Sequence, residues 1–211
     1  MTGGRSARLV ERHAALLDRA CDVRFVREAT AGTLAAGDFA RYLLVEEAFV
    51  LTASRVLGRV VWESDGWAEL LPSARSLTNL VTEQRDYFAG LRHRWPVEDA
   101  PATLARAQVL SEVVLRQVTE SGRPAALTGM LAAETMYARW CTAAAAQPAD
   151  RDPDLQAWID LHAEPAFLGQ VAALRADVDA LPTELADDAA LDRWYAAVLE
   201  AEIAFHDAVH G

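Results

Sequence analysis

Apolar residues recur at spacings of three and four along almost the whole chain, and no convincing run alternates apolar and polar side chains as a half-buried strand would. Ala, Leu, Arg and Glu dominate, and β-branched runs are short, which adds helical propensity to helical period. The sequence therefore predicts an all-α fold. Gly, Pro, Ser and Asp interrupt the pattern at Thr33–Asp38, Glu63–Gly66, Leu71–Ser73, Trp95–Pro101, Ser121–Pro124, Pro148–Pro153, Ala163–Pro165 and Leu181–Asp188. These breaks divide the chain into about seven or eight helices. Ser73 or Ser76 reads as the cap of the fourth, Pro124 as a first-turn residue, and Pro165 as the opening of the segment that holds Phe167.

With 211 residues and 52% apolar content, the chain can bury a sizeable core, and nothing in its composition demands a second unit. Residues 1–211 are expected to form a single domain. No uncharged apolar run is long enough to span a membrane, and the first residues do not carry a basic-then-apolar leader. A cytoplasmic protein without membrane contact is expected, with Cys21 and Cys141 as free thiols. A net charge of −11 argues against nucleic acid, since binding a phosphate backbone needs clustered positive charge. All 20 basic residues are arginine. The absence of lysine removes Schiff-base chemistry and the Walker-type phosphate lysine.

Four polar residues break otherwise apolar helix faces. In "LAAETMYARWC" (131–141), Glu134 shares a stripe with Leu127, Met130, Tyr137 and Cys141, while Thr128, Thr135, Arg139 and Thr142 fall elsewhere. Glu46 is the sole charge on the stripe of Phe39, Tyr42, Phe49, Ala53 and Val56. Glu202 holds that place among Tyr195, Val198, Phe205 and Val209, and His162 lies on the face of Leu155, Trp158 and Ile159. A single buried acid is commonly paired or solvated. Four inward polar groups on four separate helices instead describe a lined cavity.

Three segments, in order along the chain, resemble the TenA/thiaminase II family. They are "REATAGTLAAGDFARYLLVEEAFVL" (27–51), "LQAWIDLHAEPAFLGQV" (155–171) and "LEAEIAFHDAV" (199–209). The resemblance implies a haem-oxygenase-like helical bundle, assembly as a homodimer or homotetramer, and hydrolysis of C–N bonds on aminopyrimidines related to thiamin. It implies no cofactor and no metal. Glu134 stands where one branch has its nucleophilic cysteine, which places this chain with the branch that carries Glu there. By the same resemblance Glu202 is the C-terminal acid. Glu46 replaces the aspartate that contacts the pyrimidine, Phe49 the ring-stacking aromatic, and His162 a tyrosine, with Tyr137 beside the substrate. The catalytic pair is then Glu202 as proton donor and Glu134 as base for water, and thiamin itself becomes a poor substrate.

Two other readings stay open. The same fold hosts non-haem iron oxidases, and Glu46, Glu134, Glu202 and His206 resemble such a set, although no Glu-x-x-His occurs. A scaffold that binds a pyrimidine without turnover is the other. His13 offers a haem ligand only weakly, Cys141 reads as a small core residue, and His206 and His210 read as cationic caps on the last helix.

Overall fold

The helical period is realised throughout. The computed structural model describes residues 3–98 and 100–210, and among them it holds ten α-helices, one π-helical turn and no strand. The helices are α1 (Arg5–Arg12), α2 (Ala14–Ala20), α3 (Arg24–Ala31), α4 (Ala36–Trp62), α5 (Trp67–Asn79), α6 (Arg85–Arg92), α7 (Ala100–Ala145), α8 (Pro153–Ala163), α9 (Pro165–Ala180) and α10 (Asp188–Asp207). The π turn, Leu80–Gln84, joins α5 to α6.

Local chemistry sets several ends. Asp152 accepts from the Asp154 amide with Pro153 in the first turn of α8, and Asp187 accepts from the Ala190 amide at the start of α10. Gly32 ends α3 in the left-handed region at φ 72°, the usual glycine stop. The long α7 is the axis of the bundle: α4, α8, α9 and α10 all pack on it. Its middle is buried on every side, so Thr128 and Thr135, which the stripe placed away from the core, are buried too. Thr128 satisfies its hydroxyl by donating to the Pro124 carbonyl.

Three boundaries differ from the punctuation of the sequence. Helix α5 runs through Pro72, so Ser73 and Ser76 open nothing. A mid-helix proline removes one backbone bond, and here the Ala68 carbonyl it frees lies on an exposed turn where water can take it. The N-terminal helix breaks twice, at His13 and at Cys21–Val23, with no Gly or Pro at either place. Tertiary contact decides there: His13 stacks on Tyr195 at 5.6 Å and reaches Asp192 at 3.2 Å, which turns α1 and α2 around α10. That commitment also takes His13 away from any haem role.

The break expected at Ser121–Pro124 is a kink inside α7. Gly122 sits at φ 62°, ψ −145°, where a side chain would be strained, and an added Cβ would meet the Glu63 carboxylate. Glu63, just past the end of α4, accepts from the Arg123 amide at 2.5 Å. It caps the second half of α7 from outside the helix. Beyond the kink, Gly129 lets α10 come close, with Val198 against it.

Candidate active site

Helices α4, α7, α8 and α10 each direct polar side chains into one region of the bundle. The centre of the network is Tyr137 on α7. Its hydroxyl donates to Glu46 Oε1 on α4 at 2.5 Å, lies 3.1 Å from the Tyr42 hydroxyl, and lies 3.4 Å from His206 Nε2 on α10. Tyr42 and His206 are fully buried and Tyr137 nearly so, whereas Glu46, Glu134, Phe49 and His162 keep part of their surface open. The site thus has a closed floor and an accessible wall.

The three acids of this region experience different surroundings. Burial raises the Glu46 carboxyl, and the hydrogen bond from the Tyr137 hydroxyl offsets part of that rise by favouring the ionised form. Glu134 has no such partner, and burial together with the Glu46 charge pushes it up to about 7. Glu202 is 2% exposed and its Oε2 has no hydrogen-bond partner. Burial, then the charges of Glu46 and Glu134, hold it well above the usual carboxylate range. The set is thus graded: Glu46 ionises first, its charge raises Glu134, and both charges raise Glu202.

His162 Nδ1 bonds the Trp158 carbonyl at 2.8 Å, and burial lowers its pKa to about 4. A carbonyl only accepts, so Nδ1 carries the proton and Nε2 is a free acceptor. The ring lies 5.3 Å from that of Tyr137 and 4.8 Å from that of Phe167. Phe49 is edge-on to Phe205 at 6.0 Å. Cys141 is fully buried as a core residue, while Cys21 is half-buried, and both are free.

The reading of His206 as a cationic cap on the last helix is corrected. His206 is fully buried, its Nδ1 bonds the Glu202 carbonyl at 2.8 Å, and burial lowers its pKa to about 4, so it is neutral. His210 turns instead to Asp38 at 2.8 Å, tying the chain beyond α10 to the start of α4. Tyr42 and His206 were the residues that helix faces alone did not single out. Each is one turn from an acid already recognised, Tyr42 before Glu46 and His206 after Glu202.

Two other features lie outside this network. Among the described residues, the grouping of acids and histidines whose ligand atoms fall within 4.8 Å of one another is Glu28, Asp38 and His210. Arg24 pairs with Glu28 and Arg41 with Asp38, so that cluster already holds its own cations. A recess of about 380 Å³ lies beside α3 and the end of α7, with Asp22, Arg27 and Arg139 as its charged walls. All three are exposed, and none of the buried acids reaches it.

Solved structures with this arrangement of helices are known. A TenA homologue from Pyrococcus horikoshii OT3 superposes with a TM-score of 0.85 at 16% identity, covering 98% of each chain. The fold is that of the TenA homologues. A TenA family transcription regulator from a Silicibacter species gives 0.84 at 17% identity over 99% of this chain and 98% of its own. A protein described as a TenA-like thiaminase, from Sulfolobus solfataricus P2, gives 0.71 at 14% identity over 99% and 97%. No family model matches the chain, and no curated relative does. The TenA-like bundle accounts for the common placement of α4, α7, α8 and α10; at these identities it carries no residue's role from one chain to another. Among the described residues no helix is long and apolar enough to cross a membrane.

Proposed function

We propose that this TenA-like chain hydrolyses a C–N bond on an aminopyrimidine of the kind left by thiamin breakdown, as a member of the Glu-carrying branch of that family. The observation that carries the reading is the division of labour among three acids in one buried network. Glu46 is bonded by Tyr137 at 2.5 Å, Glu134 lies near neutrality, and Glu202 is sequestered without a partner. Acid and base are then available together near pH 7.

In this reading Glu46 accepts from the exocyclic amine of the pyrimidine, Phe49 lies against the ring, and the bare Nε2 of His162 accepts from a donor on the substrate. Glu134 takes a proton from water as its oxygen bonds to the carbon bearing the scissile nitrogen. Glu202 gives its proton to the leaving nitrogen as the C–N bond breaks, so that water is added across the bond. Neutral and acidic walls without a lysine favour a ligand rich in amine donors over an anionic one. Exposed Trp62 (82%), Trp67 (76%) and Leu51 (60%) support association into a homodimer or homotetramer, and the reading places the protein in the cytoplasm.

The deciding experiment compares thiamin with aminomethyl- and formylaminomethyl-pyrimidines. Turnover of the amine or amide at a kcat/KM well above that for thiamin is expected, because no thiolate is present to displace a thiazole. Binding without turnover of any of them would make the chain a pyrimidine carrier instead.

A further inference from the structure

His206 is a buried neutral histidine that the hydrolytic steps above leave unused. Its Nδ1 proton is committed to the Glu202 carbonyl at 2.8 Å, because that oxygen can only accept. Nε2 is therefore a bare acceptor, held 3.4 Å from the Tyr137 hydroxyl. Tyr137 has one proton to give and three acceptors within reach, Glu46 Oε1, the Tyr42 oxygen and His206 Nε2. The shorter contact takes it while Glu46 is ionised. Tyr42, fully buried, donates to the Tyr137 oxygen in that state.

When the proton taken up by Glu46 lies on Oε1 the arrangement changes, because two hydroxyl protons would otherwise meet across 2.5 Å. The protonated Glu46 then donates to the Tyr137 oxygen, and the Tyr137 hydroxyl needs another acceptor. We propose that His206 is a positioning residue, the alternative acceptor to which the Tyr137 hydroxyl turns when Glu46 takes up a proton. This role rests on the hydrolase reading for its chemical purpose. As Glu46 takes up a proton from solvent, the Tyr137 hydroxyl rotates from Glu46 to His206 without itself ionising. Both protonation states of Glu46 are left with every hydroxyl bonded. The other titratable groups facing this network are Glu134 on α7, His162 on α8, Glu202 on α10 and His210 beyond it.

Nitrogen-15 spectra of the histidines test the geometry without any substrate. The wild-type protein should show His206 protonated on Nδ1 with a free Nε2. With Tyr42→Phe in the background, Glu46→Leu leaves Tyr137 only His206, so the Nε2 resonance should move upfield as it becomes bonded, and adding Tyr137→Phe should reverse the move. A proton on Nε2 in the wild type, or an Nε2 resonance indifferent to Glu46→Leu in that background, overturns the proposal whatever the substrate proves to be. If Glu46→Leu does not fold, the same resonance followed through the titration of Glu46 in the wild type and in Tyr137→Phe gives the answer.

The kinetic arm uses the pyrimidine amine. His206→Phe takes the acceptor from the protonated state of Glu46, so the lower break of the acidic limb of the pH–rate profile, which Glu46 sets beneath that of Glu134, should move down by roughly half a unit to one unit. His206→Gln supplies an acceptor oxygen in the same place and should keep the limb where it is. Limbs that coincide for Phe and Gln variants would reduce His206 to packing. Absence of turnover in the wild type would instead strike the hydrolase reading and leave the spectroscopic result standing.

Discussion

Tyr137 donates to Glu46 at 2.5 Å, and this one hydrogen bond separates the charge states of the buried acids. Glu46, Glu134 and Glu202 share burial as the main force raising their carboxyls. A hydroxyl donor favours the ionised form over the neutral one, so Glu46 is the first of the set to ionise. Its charge then helps to raise the other two.

Tyr137→Phe should undo that separation. A hydrogen bond to a charged acceptor contributes about 1.5–3 kcal/mol, so the Glu46 midpoint should rise by roughly one to two units. The lower break of the acidic limb of the pH–rate profile, which Glu46 sets beneath that of Glu134, should move up accordingly. A limb that stays in place after the substitution would detach Tyr137 from Glu46 ionisation.

Glu134→Gln and Glu202→Gln should each damage chemistry and spare the fold. Gln keeps volume but neither takes nor gives the proton, so a lost base or acid should reduce kcat on the order of 10²–10⁴. Neither carboxyl is paired with an arginine, so no buried cation is stranded and the Tm should hold or rise. A destabilised but fully active Glu134→Gln would return that residue to the scaffold.

How far the sequence carries can be judged from particular residues. Glu46, Glu134 and Glu202 were legible because each breaks an apolar stripe at helical spacing, and that pattern needs only the 3.6-residue period. Their convergence was inferable from having one on each of several helices. The hydrogen bonds were not: Tyr42 and His206 sit on the same faces as residues that merely pack, and a tyrosine or histidine there looks like core. The π turn, the passage through Pro72 and the break at His13 were hidden for a related reason. Each depends on what lies beside the helix, solvent for Pro72 and Tyr195 with Asp192 for His13.

The kink in α7 should depend on Gly122 and Glu63 together. Gly122→Ala forces a side chain into the left-handed region and against the Glu63 carboxylate, and should cost about 1–3 kcal/mol. Glu63→Ala removes the acceptor for the Arg123 amide, for about 0.5–2 kcal/mol as at other helix caps. Because both act on one contact, the double variant should fall short of the sum. Chemical denaturation of the three variants measures this, and strict additivity would separate the glycine from its cap.

The pH dependence of stability should carry the signature of Glu202. Its folded pKa is raised above the unfolded value, so the folded state binds the extra proton. The associated stability is fully present below about pH 4.5 and is lost as pH rises toward the folded pKa. Glu134 acts in the same direction between about 4.5 and about 7. His162 and His206 act oppositely: lowered to about 4, they cost stability in acid and cease to matter above about 6.5. Below that pH the two sets oppose each other, and above it the acids act alone. The Tm of the wild type should therefore decline above about pH 6.5, and Glu202→Gln should decline less, the gap between them widening steadily from acid to base. Calorimetry from pH 5 to pH 9, at about one point per unit, reads that gap directly. Parallel curves would mean that Glu202 titrates alike in the folded and unfolded chain, and its place as the proton donor would fall with them.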